Sequence, residues 1–134
     1  MPDHDKVIEA PEAGTCGRFY VNAGVVQAIA AQLPTQDAIF AMAETFKLLG
    51  DPTRLRIVYA LSRGELCVCD LASMLGVAAT AISNHLRLLR NMRLVRYRRH
   101  GKLAYYTLED EHIGRLLAEC LDHVQDPVMF GGVR

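Results

Sequence analysis

Asp70-Leu71-Ala72-Ser73-Met74-Leu75-Gly76-Val77-Ala78-Ala79-Thr80-Ala81-Ile82-Ser83-Asn84-His85-Leu86-Arg87-Leu88-Leu89 is the stretch that decides the fold. Its apolar spacing predicts a short helix over 68–75, a stop at Gly76, a tight turn at 77–79 and a second helix over 80–92. In the second helix Ile82, Leu86 and Leu89 recur at i, i+4 and i+7, which defines a buried face. Ser83, Arg87 and Arg90 repeat that spacing on another face, with Thr80, Asn84 and His85 nearby. Short polar groups and arginines on an exposed stripe suit reading of base edges in the major groove. Any one of these arginines alone reads as an ordinary solvated side chain. The arrangement as a whole reads as a helix-turn-helix.

Downstream, residues 94–99 and 102–108 alternate like strands around His100-Gly101, which predicts a two-residue hairpin turn with glycine second. The formal net charge of the chain is zero, yet residues 71–108 contain no Asp or Glu. The same run carries Arg87, Arg90, Arg93, Arg96, Arg98, Arg99 and Lys102. A phosphate-binding surface needs local positive potential, whatever the chain average. The hairpin therefore reads as a basic wing, with Arg96, Arg98, Arg99 and Lys102 toward the DNA backbone or minor groove. A purely structural hairpin would rarely cluster arginines so densely.

Upstream stands Glu65-Leu66-Cys67-Val68-Cys69-Asp70-Leu71-Ala72. A helix of this kind usually starts on Ser, Thr, Asp or Asn. Here a cysteine holds that place, with a second one two residues on. Free amides and the positive end of the helix dipole suit a thiolate, the form that binds soft metals. With 134 residues, about half of them hydrophobic, the chain fits one domain with a modest core, to which a dimer would add buried surface. No apolar run approaches ~18 residues, so no membrane span is expected. The N-terminus lacks the order of a secretory signal, so a cytoplasmic location with reduced thiols is expected for Cys16, Cys67, Cys69 and Cys120. Metal or redox chemistry then suits the cysteines better than disulfides.

In order, the reading gives an N-terminal arm (1–18), one domain (19–126) and a tail (127–134). Helices are expected over 21–33, stopped by Pro34, and over 35–49, with Ile39, Met42, Ala43, Phe46 and Leu49 on one stripe. Asp51-Pro52 supplies an N-cap and a first-turn proline for a third helix that ends at Leu61 and presents Leu55, Val58 and Tyr59.

The last helix, over 110–125, carries Ile113, Leu116, Leu117, Cys120, Leu121 and Val124, a stripe broad enough to call for a partner helix. Cys120 on that stripe reads as a buried core cysteine. Asp110 and His112 stand at one end of this helix, His123 and Asp126 at the other. The two histidines point the same way but lie ~16 Å apart along the axis, so one ion cannot touch both within a single helix. Across a two-fold axis, residues whose numbers share a constant sum face each other. Asp110 with Asp126 and His112 with His123 meet that condition to within one position. An antiparallel copy would then gather two carboxylates and two imidazoles, a set that suits tetrahedral zinc. The plainer alternative, left open by spacing, is that Asp110 only caps the helix and the histidines are surface residues.

With these residues in place, the chain resembles the ArsR/SmtB family of metal-sensing repressors, nearest the cadmium/lead sensors of CadC type and their zinc-sensing relatives. The resemblance spans about 43–126. It rests on Leu48-Leu49-Gly50-Asp51-Pro52-Thr53-Arg54-Leu55-Arg56-Ile57, the Cys-Val-Cys-Asp run, Ser83-Asn84-His85-Leu86-Arg87, the wing, and Asp110-Glu111-His112-Ile113. It implies a mainly α (α+β) winged helix-turn-helix with a two-stranded wing, dimerised through its N- and C-terminal helices. It also implies an apo homodimer that binds operator DNA and releases it on taking up Cd2+, Pb2+ or Zn2+, thereby controlling metal efflux or resistance genes. One implied site is Cys67 and Cys69 with arm thiolates; the other is the inter-subunit set Asp110, His112, His123 and Asp126. CadC-type sensors bring two arm cysteines, and this chain has only Cys16 there, which leaves a three-thiolate shell or one completed by His4 or water. Thiolates favour cadmium and lead, the imidazole–carboxylate set zinc.

Two competing functions follow from the same cysteines. A winged-helix thiol redox sensor would use Cys67 or Cys69 as its switch, and would leave the last-helix ligands without purpose. A dithiol oxidoreductase would place its thiols in a βαβ setting, an alternation this sequence does not show. A non-enzymatic regulator is the expected class.

Overall fold

The computed structural model describes residues 20–130. The chain separates into two units, the first ending at Ala41 and the second beginning at Met42. Cys16 and His4 lie outside the described residues.

In the first unit, α1 (Ala23–Ala30) starts on Asn22, whose side chain accepts from the Val25 N–H at 3.0 Å. It ends three residues short of the expected stop, in a turn leading to Pro34. α2 (Gln36–Leu49) begins here, with the Thr35 hydroxyl accepting from the Ala38 N–H at 3.1 Å. No α1 residue is buried, and of the α2 stripe read from sequence only Leu49, in the second unit, is buried. Ile39, Met42 and Phe46 are exposed in the single chain.

The second unit holds the core. α3 (Pro52–Arg63) opens as expected, with Asp51 accepting from the Arg54 N–H at 2.9 Å and Pro52 in the first turn. Its buried face is Ile57, Val58 and Leu61, whereas Leu55 and Tyr59 are each 40% exposed. The reading that grouped Leu55, Val58 and Tyr59 is thus corrected, because α3 is apolar on more than one side and the core takes Ile57. α4 (Val68–Leu75) ends on Gly76, left-handed at φ 65°, a conformation that glycine adopts without Cβ strain. α5 (Ala79–Asn91) buries Ile82, Leu86 and Leu89 completely, as its periodicity predicts. These three side chains are worth roughly 1.5–3 kcal/mol each in removal of apolar surface from water.

β2 (Val95–His100) and β3 (Leu103–Leu108) form the wing. Pairing of His100 with Leu103 puts Gly101-Lys102 in the turn, one residue beyond the expected pair. Gly101 is the residue with positive φ, 64°, so glycine stands first in the turn and not second. The wing is two-stranded as expected, and a third strand extends its sheet. β1 (Leu66–Cys67) pairs antiparallel with β3 through Leu66–Tyr106 and Cys67–Tyr105, giving the order β1-β3-β2. Two residues are too few to show alternation, so this strand had no sequence signal.

α6 (Glu111–Val124) starts on Asp110 and packs Leu117 into the core against α3. Leu116 and Val124 stay exposed, and so does Cys120. The expectation of a buried Cys120 is corrected: within the single chain only the Leu117 line of the α6 stripe is covered. α7 (Pro127–Phe130) follows, capped by Asp126, whose carboxylate accepts from the Val128 N–H at 2.9 Å. It repeats the Asp-Pro start of α3 in what reads from sequence as a tail.

Candidate nucleic-acid interface and metal ligands

The buried face of α5 fixes what its other side offers. With Ile82, Leu86 and Leu89 turned inward, Thr80, Ser83, Asn84, Arg87 and Arg90 are exposed. His85 differs, being half-buried with Nδ1 3.4 Å from Arg54 Nη1. Arg54 also donates through Nε to the Leu48 carbonyl at 2.8 Å, so His85 rests on the α2–α3 corner.

Arg90 links this helix to the wing. Its guanidinium lies 5.0 Å from the Tyr97 ring centroid, and Arg99 lies 5.9 Å from the same ring. Tyr97 in turn packs on Tyr106 at 5.4 Å. Two arginines on one aromatic ring concentrate positive charge beside α5. Arg96, Arg99, His100 and Lys102 are exposed.

Arg98 departs from the expected role. It makes a two-pronged ion pair with Glu65, Nε to Oε2 at 2.9 Å and Nη2 to Oε1 at 2.8 Å. The Arg98 guanidinium holds the Glu65 carboxyl below the usual carboxylate range. The acid comes from just outside the acid-free run, 33 residues away in sequence. Counting charge along the chain misses it.

Cys67 closes β1 and stands at the N-cap of α4. It is only 6% exposed, whereas Cys69 is exposed. Asp70 completes this helix start by accepting from the Cys67 N–H at 3.1 Å. That bond, and then one with the Cys67 side chain, hold the Asp70 carboxyl below its ordinary value.

At the start of α6, Asp110 Oδ1 accepts from the His112 N–H at 3.0 Å and lies 3.3 Å from His112 Nδ1. Desolvation pushes the Asp110 carboxyl up, but the His112 side chain and backbone N–H together bring it below the usual range. His123 stands in the last turn of the same helix, and Asp126 just beyond its end. Both carboxylates of the expected zinc set are therefore helix caps. Capping uses one carboxylate oxygen, and a carboxylate can bridge an N–H and a cation, so the donor chemistry fits zinc. Among the described residues no three His, Cys, Asp or Glu side chains gather within the single chain.

A buried-face helix following a Gly-closed turn, with a basic wing beside it, defines a winged helix-turn-helix DNA-binding protein. The family model for bacterial regulatory proteins of the arsR family matches residues 51–97. The chain is 44% identical over 115 residues to a transcriptional repressor SmtB homolog of Synechocystis sp., covering 86% of this chain and 87% of the relative. It is 38% identical over 117 residues to a cadmium resistance regulatory protein CadC homolog of Staphylococcus aureus, covering 87% and 96%. The crystal structure of the AntR antimony-specific transcriptional repressor superposes with TM-score 0.65 at 35% identity, covering 72% of this chain and 88% of that one. The chain belongs to the ArsR family of bacterial regulatory proteins.

Proposed function

We propose the following division of labour in this metal-responsive transcriptional repressor. A homodimer in the cytoplasm binds a palindromic operator when metal-free, with Thr80, Ser83, Asn84 and Arg87 of each α5 reading the major groove. Arg90, Arg96, Arg99 and Lys102 contact phosphates, while Arg98, paired with Glu65, holds the wing to the strand before α4. His85 serves by holding α5 on the corner formed by Arg54. Cys67 and Cys69, with Cys16, form a thiolate set for Cd2+ or Pb2+. Asp110 and His112 of one protomer, with His123 and Asp126 of the other, form an N/O set for Zn2+. Occupation of either set favours the dimer shape that fits the operator poorly, and the genes released serve metal efflux or resistance.

The observation that carries this reading is the position of Cys67, which is at once the last residue of β1, the strand paired with the wing, and the N-cap of α4, the helix that precedes α5. Metal at that junction acts directly on the DNA-reading frame. No helix among the described residues is long and apolar enough to cross a membrane. The redox-sensor alternative is not favoured, since the relatives above are named for cadmium resistance and antimony specificity. The same relatives are transcriptional regulators, in keeping with a non-enzymatic role.

The test is fluorescence anisotropy of a labelled duplex from upstream of the gene, titrated with protein in the presence of Cd2+, Pb2+ or Zn2+. Release is expected, and Cys67→Ser is expected to abolish the cadmium response while keeping metal-free binding. A wild-type protein that holds the duplex equally well with every metal would overturn the proposal.

A further inference from the structure

Cys67 pairs with Tyr105 on one side of β3, and Arg98 pairs with Tyr105 on the other. The three residues form one row across the whole sheet, and directly opposed residues of an antiparallel sheet share a face. The Arg98 guanidinium accordingly lies 5.4 Å from the Tyr105 ring centroid. Glu65, just before β1, reaches over β3 to take Arg98 in the fork described above. The strand that ends in Cys67 is thus tied to the far wing strand twice, by the backbone ladder and by the Glu65–Arg98 pair.

We infer that the Glu65–Arg98 fork is the positioning contact that carries metal ligation at the Cys67–Cys69 junction to the wing. The inference rests on the thiolate set proposed above. Cys67 is buried and Cys69 exposed, so an ion held by both draws Cys67 outward and moves β1 with it. A two-pronged carboxylate–guanidinium pair is strongly directional, so a shift of β1 relative to β2 strains both of its bonds. Arg98 then lets go of β1 and the wing is free to change its angle to α5. A brace with no part in signalling would hold the sheet equally with and without metal.

The experiment compares wild type, Glu65→Gln and Arg98→Lys, the last of which keeps the charge and loses the fork. Cadmium binding is followed by sulfur-to-metal charge-transfer absorption, and operator affinity is measured with and without saturating Cd2+. In wild type, cadmium should weaken operator binding by about tenfold or more, within the usual span of allosteric coupling. In both variants cadmium should bind with wild-type stoichiometry, while the weakening shrinks at least about threefold relative to wild type. The weakening of cadmium affinity by operator should shrink by the same factor. This ratio is insensitive to any change in metal-free affinity or stability that loss of a brace would cause. If wild type responds and both variants respond by the wild-type factor, or if the variants lose cadmium binding itself, the inference is wrong and the thiolate reading stands. If wild type binds cadmium and keeps its operator affinity, the functional reading fails and takes the inference with it.

Discussion

The guanidinium of Arg90, in the last turn of α5, lies 5.0 Å from the ring centroid of Tyr97 in the first wing strand. The contact joins α5 directly to the wing. Exposed cation–π contacts are worth roughly 0.5–1 kcal/mol. Tyr97→Leu should therefore cost about 1 kcal/mol in urea unfolding and weaken operator binding by several-fold, as the helix and wing lose their common register. Unchanged affinity in a folded variant would show that the contact does not orient the wing.

The exposed basic groups predict a steep salt dependence, each phosphate contact adding close to one unit to the slope of log affinity against log salt. Arg87→Ala should weaken binding chiefly to the specific site and relax sequence preference. Arg99→Ala in the wing should weaken specific and non-specific duplexes alike and lower the slope by about one. Binding titrations from low to moderate salt on both duplexes decide this. A salt-independent affinity would remove the interface.

Acid should unfold the protein through its helix starts. The carboxyls of Asp51 and Asp70 are held below their ordinary value, mainly by the backbone N–H groups of Arg54 and Cys67 respectively. For a depressed carboxyl the stabilisation is complete above the unfolded-state value near 3.8 and is lost as pH falls through the folded value below it. Stability followed by circular dichroism should be flat with respect to these groups from pH 7 to about 5 and fall below about 4. Asp51→Asn should flatten part of that fall. An equally steep fall in the variant would mean that Asp51 contributes none of it.

Much of this architecture was legible from spacing. Three buried positions in α5 and one glycine after α4 sufficed to place the helix-turn-helix, and Asp51-Pro52 marked the start of α3. What escaped depended on long-range pairing. β1 is two residues long and finds its partner in β3 some forty residues on. Glu65 cancels Arg98 only after the sheet has formed. Cys120 was misplaced because periodicity marks an apolar face without saying whether the same chain covers it. The Asp126-Pro127 start of α7 carried the same signal as Asp51-Pro52 and was readable. At the candidate metal sites the sequence supplied residue types, and the structure added that Asp110, Asp126 and Cys67 all stand at helix starts.

The inter-subunit zinc set makes a claim about mixing. A dimer with His112→Ala in one chain and His123→Ala in the other would lose both changed ligands from one site and keep the second site complete. Either mutant homodimer damages both sites. Subunit exchange followed by zinc titration should recover one tight site per heterodimer. Heterodimers that bind zinc no better than either homodimer would show that the ligands do not pair across the two-fold axis.

If metal and operator act on one change in the shape of the protein, linkage makes their effects on each other equal. Isothermal titration of zinc and of cadmium into the protein, alone and then saturated with operator, reads the coupling directly. Operator should weaken metal binding by the same factor by which metal weakens operator binding, on the order of five- to a hundredfold. Metal affinity that is the same with and without operator would contradict it.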